Sequence, residues 1–298
     1  MPSPERRYRY AELTWPEVAE RAAEDPVCVI PVATLEDHGY HLPIDTDARI
    51  AEALAERAVL ARNESGGEPP ALLLPTVTHG YTPHHMDFPG PITIDWKLFV
   101  DYLLEIGRSL CHHGFRRFLF VNGHGSNVPL VEMAARLLMV ERPGCVAGAF
   151  WYLSSGESTA LLERTRDSER PGGMAHACEL ETSLYLAIAP ELVQMEQAVR
   201  EIPDWGSEHV WMDWNDGPLA IRERWSAWSE SGVVGDATLA SAEKGRIWLE
   251  QAVREICEYI DEVGRREPGR GHDHHGSRSR RPSDATARAG SYPKGEHR

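Results

Sequence analysis

The chain has 298 residues, of which 42% are hydrophobic and 26% charged, and this composition excludes disorder throughout. Its formal net charge of −15 repels phosphate backbones, so we expect no nucleic-acid partner. No apolar run approaches the roughly 20 residues of a membrane span, and no apolar signal-peptide core follows Met1, so we expect a cytoplasmic protein without membrane contact. The five cysteines are odd in number and lack CxxC spacing, which argues against a disulfide framework.

Short apolar runs alternate with amphipathic segments along most of the chain. The apolar runs are rich in β-branched and aromatic residues and predict buried strands at 27–32, 71–75, 115–121 and 145–152. The amphipathic segments repeat apolar residues at helical spacing and predict helices at 48–61, 96–113, 129–140, 177–188 and 241–262. Strands separated by helices form parallel βαβ units, so we predict an α/β sandwich whose chemistry lies in the loops after the strands.

Two segments depart from this alternation. Residues 202–231 hold five of the nine tryptophans: Trp205, Trp211, Trp214, Trp225 and Trp228. We interpret this stretch as an excursion over the functional site or against a neighbouring subunit, with an aromatic core patch as the alternative. Residues 265–298 are rich in Arg, Gly, Ser and His, which predicts a disordered tail after a domain of residues 1–264.

A dense group of ionisable side chains directly follows the first predicted strand. Six of the twelve residues in 36–47 are Asp, Glu or His. Burying them at a strand end is costly unless a cation collects them. Mixed carboxylate and imidazole ligands suit Zn²⁺, Mn²⁺ or Fe²⁺ better than Ca²⁺, so we predict a metal site here, with a polar surface loop as the alternative.

Further candidate residues follow later strands. His124 stands between two glycines after the strand at 115–121, where the backbone can turn sharply and place an imidazole over the strand end. His176 and Glu179 are separated by an i,i+3 step, which predicts a shared helix face, and Glu181 lies two residues beyond. The structural alternatives are a loop histidine and carboxylates that favour a helix N-terminus.

A histidine-rich segment at 78–90 is stiffened by prolines. Its histidines, His79, His84 and His85, suit the lining of a substrate pocket. Neutral histidines also satisfy backbone groups in such loops, which is the alternative interpretation.

Taken in order, these segments resemble the creatininase (creatinine amidohydrolase) family. The matching runs are Glu36-x-His38-Gly39-x-His41-Leu42-Pro43-x-x-Thr46-Asp47, Asn122-Gly123-His124-Gly125-x-Asn127 and His176-Ala177-x-Glu179-x-Glu181-Thr182. Shorter matches are Phe88-Pro89-Gly90, Gly232-Val233-x-Gly235-Asp236 and Glu243-Lys244-Gly245. The resemblance spans roughly residues 27 to 250, and the order of its pieces makes it specific.

The resemblance implies a three-layer α/β/α sandwich with a mostly parallel central sheet, commonly assembled as a hexamer, and therefore a homo-oligomer. It implies two divalent metal ions, Zn²⁺ and/or Mn²⁺, with Fe²⁺ as a third option. The implied metal ligands are Glu36, His38, His124 and Asp47, which bridges. The implied catalytic residues are His176, as proton donor or oxyanion stabiliser, and Glu181, which orients or deprotonates. The implied substrate-binding residues are Thr82, His85 and Ser126.

One position departs from creatininase itself, where the Gly-His loop supplies a Glu as a metal ligand and this chain has Ser126. A serine hydroxyl is a poor substitute for a charged ligand. We therefore expect Glu179, on the face shared with His176, to replace it.

Together with these residues, the resemblance implies a metal-dependent amidohydrolase in which a metal-activated hydroxide cleaves a non-peptide C–N bond of a small molecule, such as a cyclic amide or formamide. The alternatives are a mycofactocin-type precursor peptidase, a hydrolase of a cyclic keto-polyol C–C bond, and a catalytically silent metal-binding assembly protein. His84 stands where many family members carry an acid, which favours a neutral or anionic substrate.

Overall fold

A parallel sheet of four strands forms the centre of the computed structural model, which describes residues 8–204, 206–269 and 271. The strands are β1 (Val27–Val32), β2 (Ala71–Leu73), β3 (Arg117–Asn122) and β4 (Val146–Trp151), in the order β2-β1-β3-β4. Val27 pairs with Ala71 on one side and Arg117 on the other. Each strand coincides with a predicted apolar run to within two residues.

Helices follow the strands along the chain. They are α1 (Trp15–Ala23), α2 (Thr46–Glu64), α3 (Trp96–His112), α4 (Val128–Glu141), α5 (Gly156–Thr165), α6 (Glu179–Ile188) and α7 (Ala242–Arg265). Side-chain caps fix two of the starts: Asp95 accepts from the backbone of Lys97 before α3, and Ser241 from that of Lys244 before α7. The five predicted helices are confirmed, whereas α1 and α5 were not predicted.

The central strands are buried on both faces. Along β1, Val27 and Val29 pack into the core formed with α2, α6 and α7, whereas Cys28, Ile30 and Val32 pack against α3 and α4. Burying one such aliphatic side chain contributes about 1.5–3 kcal/mol. The sheet between two helical layers is the three-layer α/β/α sandwich that the family resemblance implied, with the strand ends left free for function.

A second, antiparallel sheet of three short strands was not predicted. Its strands are β5 (Met174–His176), β6 (Arg200–Glu201) and β7 (Val234–Asp236), in the order β5-β7-β6. It lies beside the loop that follows β1, because Nε2 of His176 bonds the backbone oxygen of Asp37. His176 is the last residue of β5, so this sheet places its imidazole beside the loop.

The tryptophan-rich segment divides between two environments. Trp214 packs against Tyr152 in the core, with ring centroids 5.0 Å apart, whereas Trp225 lies over histidines at the strand ends. Trp205 lies outside the described residues, as does most of the predicted tail, residues 270 and 272–298. In the described part of the chain, no helix combines the length and apolar character needed to cross a membrane.

Candidate metal centre

A cluster of buried acidic and imidazole groups lies at the carboxyl ends of the central strands. It draws on five elements: Glu36 and His38 follow β1, Asp47 lies in the first turn of α2, His124 follows β3, His176 ends β5, and Glu181 lies in the first turn of α6. Each of these residues is at most 6% exposed. Parallel strands deliver loops to one edge of a sheet, so residues far apart in sequence meet there.

Asp47 lies at the centre of the cluster and faces a different histidine with each oxygen. Its Oδ1 is 3.2 Å from Nε2 of His38, and its Oδ2 is 3.1 Å from Nδ1 of His124. Oε1 of Glu36 is also 3.1 Å from Nδ1 of His124. Oε1 of Glu181 is 3.7 Å from Nε2 of His38. Four groups of three potential ligand atoms occur among the described residues, and two of them share Asp47; the other two are Glu36, His38 and His176, and Asp37, His85 and His176.

The donor set and its electrostatics fit a divalent cation. In the described part of the chain, no well-formed hydrogen bond reaches Nε2 of His38 or Oδ2 of Asp47, although both atoms are buried. Burial lowers the pKa of His124, but Glu36 and Asp47 outweigh it and raise this pKa to about 10. The negative field that holds a proton on His124 equally attracts a metal ion, and buried carboxylate and imidazole ligands suit Zn²⁺ or Mn²⁺.

Two backbone features bring the ligands together. A Cβ on Gly123 would lie 2.7 Å from the backbone oxygen of Asp47, so glycine allows the end of β3 to approach α2 closely. Ala177 adopts a left-handed conformation with φ of 49°, and its N–H donates to Oε2 of Glu181 at 2.5 Å. That bond leaves the other oxygen of Glu181 directed at His38.

The structure does not bring Glu179 to the cluster. Its carboxylate bonds the ammonium of Lys244 and accepts backbone N–H groups from Asp167 at 3.0 Å and Ser168 at 2.9 Å. The i,i+3 argument does not apply, because His176 ends β5 and the helix begins only at Glu179. No described group of potential metal ligands includes Glu179.

His176 is held in one tautomer beside the cluster. Its Nε2 lies 2.8 Å from the backbone oxygen of Asp37, which can only accept, so Nε2 carries the proton. Its Nδ1 lies 3.7 Å from Oε1 of Glu36. Burial, and then the neighbouring His38, lower the pKa of His176. The ring is therefore neutral, with its basic nitrogen toward the ligands.

Asp37 is a site residue to which the sequence assigned no role. Its Oδ1 lies 2.6 Å from Nδ1 of His85, and burial followed by the charge of Glu36 raises the pKa of Asp37 to about 7. Gly232, at φ of 88°, makes room for this carboxyl, because a Cβ there would collide with Oδ2. In the sequence, a role for Asp37 was indicated by its position between Glu36 and His38.

Aromatic and histidine side chains form a wall above the cluster. The ring of Trp225 stacks on His85, with centroids 4.7 Å and planes 25° apart, and meets His176 edge-on at 5.0 Å. Nε2 of His84 lies 3.1 Å from Oγ of Ser126. The structure thus places His85 and Ser126 in the wall.

Thr82, predicted to bind substrate, is fully buried beneath the cluster. Its hydroxyl donates to Oε2 of Glu36, so it holds a potential ligand in place. A role in positioning Glu36 follows from this geometry.

Comparisons with known proteins agree with this architecture. The family model described as creatinine amidohydrolase matches residues 11–260. The mycofactocin precursor peptide peptidase of Mycobacterium tuberculosis is 34% identical over 249 residues, covering 79% of this chain and 86% of that protein. The 3-dehydro-scyllo-inosose hydrolase of Thermotoga maritima is 30% identical over 275 residues, covering 84% and 83%. A crystal structure of creatinine amidohydrolase superposes with a TM-score of 0.74 at 26% identity, covering 87% of this chain and 98% of that one.

The chain thus combines a three-layer α/β/α sandwich with a buried candidate metal centre at its strand ends. The chain belongs to the creatininase family, and it is a hydrolase of that family. Similar creatininase structures are described as a zinc–zinc type and as a manganese form, with TM-scores of 0.72 and 0.73 at 25% identity.

Proposed function

We propose that the protein is a metal-dependent hydrolase that cleaves a C–N amide bond of a small molecule, such as a cyclic amide or a formamide. The observation that carries the proposal is the division of Asp47 between two histidines, with one oxygen 3.2 Å from His38 and the other 3.1 Å from His124. A carboxylate in that position suits two cations rather than one, and paired cations are a common hydrolytic device.

The ligand assignment follows from the two groups of side chains. Glu36, Asp47 and His124 would hold one ion, and His38, Asp47 and Glu181 the other. Glu181 takes the position that the sequence had suggested for Glu179.

Bound cations would lower the pKa of a water molecule and polarise the carbonyl under attack. Within this chain, His176 is suited to move the proton, because its neutral Nδ1 faces the ligands while its Nε2–H is fixed on Asp37. In the proposed reaction, Nδ1 accepts a proton from the attacking water and returns it to the leaving nitrogen. Asp37 also holds His85, whose Nε2 lies 3.8 Å from Oε2 of Glu36.

The wall indicates which substrates suit the site. Burial lowers the pKa of His84 to about 4, so this side chain is neutral at pH 7. With Trp225 and His85 beside it, the wall offers flat apolar surface and hydrogen-bonding groups. We therefore propose a neutral or anionic substrate with a planar amide.

Peptide cleavage is the second candidate. It is supported by the 34% identity to a mycofactocin precursor peptide peptidase, which covers 86% of that protein. A peptide bond presents the same carbonyl and leaving nitrogen to the site, so the chemistry would not change. The two candidates differ in how far the substrate extends beyond the wall.

Mass spectrometry of reaction products tests both candidates. The protein is loaded with Mn²⁺ or Zn²⁺ and incubated with a metabolite pool or a short peptide pool, and His124→Ala serves as the control. The proposal is supported if a small molecule gains one water at an amide with the native protein and not with His124→Ala. Cleaved peptides support the second candidate, C–C cleavage of a cyclic keto-polyol contradicts both, and no turnover with either metal favours a silent assembly protein.

Assembly as a homo-oligomer, and as a hexamer by family resemblance, is part of the proposal. Several large apolar side chains are exposed, including Tyr40 at 58%, Met86 at 48%, Ile92 at 48% and Trp96 at 48%. Exposed apolar surface of this kind is typical of protein interfaces. A cytoplasmic location, predicted from the sequence, is also part of what we propose.

A further inference from the structure

Two cysteine sulfurs are in contact at the end of the sheet opposite the candidate metal centre. Cys111 lies in the last turn of α3, and Cys145 immediately precedes β4. Their Sγ atoms are 3.1 Å apart, although 34 residues separate them in sequence. All five cysteines lie in the described part of the chain, and among them Cys28 and Cys178 are fully buried.

The pair borders a surface cavity of about 390 Å³, and Cys111 is partly exposed whereas Cys145 is 6% exposed. Arg116 and Arg142 also border it, and the side chain of Arg116 is 58% exposed. The contact with Cys111, in which either sulfur can donate, is the main influence that lowers the pKa of Cys145; Arg142 and Arg116 lower it further, whereas burial and Asp25 raise it. The same contact raises the pKa of Cys111. Of the two sulfurs, Cys145 has the lowered pKa and lies beside both guanidinium groups, so it is the one expected to attack, with Cys111 as the sulfur that resolves the intermediate.

We propose that Cys111 and Cys145 form a reversible disulfide when the protein meets a peroxide. The Cys145 thiolate attacks one oxygen of hydrogen peroxide, the O–O bond breaks, and a sulfenic acid and hydroxide result. The Cys111 thiol then attacks the sulfenic sulfur, the S–S bond forms, and water leaves with the thiol proton. The two sulfurs lose two electrons, the peroxide gains them, and the sum is two thiols and one peroxide giving one disulfide and two waters.

The cross-link would join the end of α3 to the edge strand β4 and enclose β3 and α4 in a covalent loop. Such a loop restricts the unfolded chain, so the oxidised protein should melt about 5–10 °C higher. The pair lies roughly 20 Å from the candidate metal centre, because the length of β3 separates them. Oxidation should therefore change stability and leave turnover unchanged.

Thiol counting and peptide mapping on the full chain test the proposal. Hydrogen peroxide should reduce the free thiols from five to three, and non-reducing digestion should yield a Cys111–Cys145 peptide that dithiothreitol splits. Cys145→Ser should form no cross-link, whereas Cys111→Ser should stop at a sulfenic acid that dimedone traps. Cys257→Ser is the matched control and should oxidise like the native protein.

Two results would overturn the proposal. One is the absence of the Cys111–Cys145 peptide after treatment with excess peroxide. The other is a cross-link that persists in Cys145→Ser, because the reactive thiol would then be a different cysteine. The first result is read on the native protein, so a variant that fails to fold does not decide the outcome. The Cys257→Ser control shows whether a serine substitution by itself alters oxidation.

Discussion

Glu179 and Glu181 are two residues apart at the start of α6, and their carboxylates have opposite environments. Glu179 bonds the ammonium of Lys244, whereas Glu181 directs one oxygen at His38. Both side chains are at most 3% exposed, so neither carboxylate is solvated and each depends on its partner. The helix start therefore separates a structural ion pair from a potential metal ligand.

Glu181→Gln should reduce the bound Mn²⁺ by about one equivalent per chain and lower kcat/KM by at least about 100-fold, because a neutral amide is a weaker ligand. Metal analysis and steady-state kinetics measure both quantities. Glu179→Gln is the matched control, and it should keep its metal while losing about 3 kcal/mol in the free energy of unfolding. Retention of two equivalents in Glu181→Gln would show that Glu181 acts on protons instead.

Asp47→Asn should weaken metal binding at both proposed sites, whereas His124→Ala should weaken it at one, because Asp47 is the residue that the two groups share. Calorimetric titration with Mn²⁺ measures the number of sites and their affinities. We expect affinity losses of 10-fold or more at both sites in Asp47→Asn. Loss at a single site would show that Asp47 does not bridge.

Trp225→Ala should raise KM by about 10-fold with unchanged metal content, because the removed ring stacks on His85 and meets His176 edge-on but contacts none of the five proposed metal ligands. Trp225→Phe keeps a ring and loses only the hydrogen bond from Nε1 to the backbone oxygen of Gly232, so its KM should change by less than about threefold. Equal effects of the two substitutions would contradict a role in stacking. Steady-state kinetics with a substrate identified in the metabolite screen provides the readout.

Deletion of residues 272–298 should leave metal binding and turnover unchanged and shift Tm by less than about 2 °C. The cut keeps Arg266, whose backbone oxygen accepts a hydrogen bond from Arg117 in the domain. Thermal melts and the activity assay check this expectation. A fall in activity would show that the predicted tail takes part in function.

The framework was predictable because hydrophobic runs have few alternative placements. The run at Val27–Val32 can be buried only as a central strand, since apolar residues occupy both of its faces. The second sheet was missed because strands as short as Arg200–Glu201 carry no periodic signal. The helices at Trp15–Ala23 and Gly156–Thr165 were missed although Thr14 and Ser155 offer capping signals.

The site was predictable in composition but not in its assignment of roles. Glu36, His38, Asp47 and His124 meet as the family resemblance implied, because strand-end loops converge. Glu181 faces His38 in place of the predicted Glu179 for two reasons. Lys244, 65 residues away in sequence, pairs with Glu179, and the left-handed backbone of Ala177 orients Glu181. Neither a distant ion pair nor a single unusual φ angle can be recognised in one sequence.

The potential ligands and the tryptophan of the wall come from different parts of the chain. Glu36, His38, Asp47, His124 and Glu181 stand at strand ends and helix starts, whereas Trp225 belongs to the irregular segment after β6. Mutations around Trp225 can therefore alter the wall without replacing a potential metal ligand, whereas Trp214 of the same segment packs in the core. Selection can act on substrate preference and on catalytic power separately, which suits this architecture to repeated functional divergence from one ancestor.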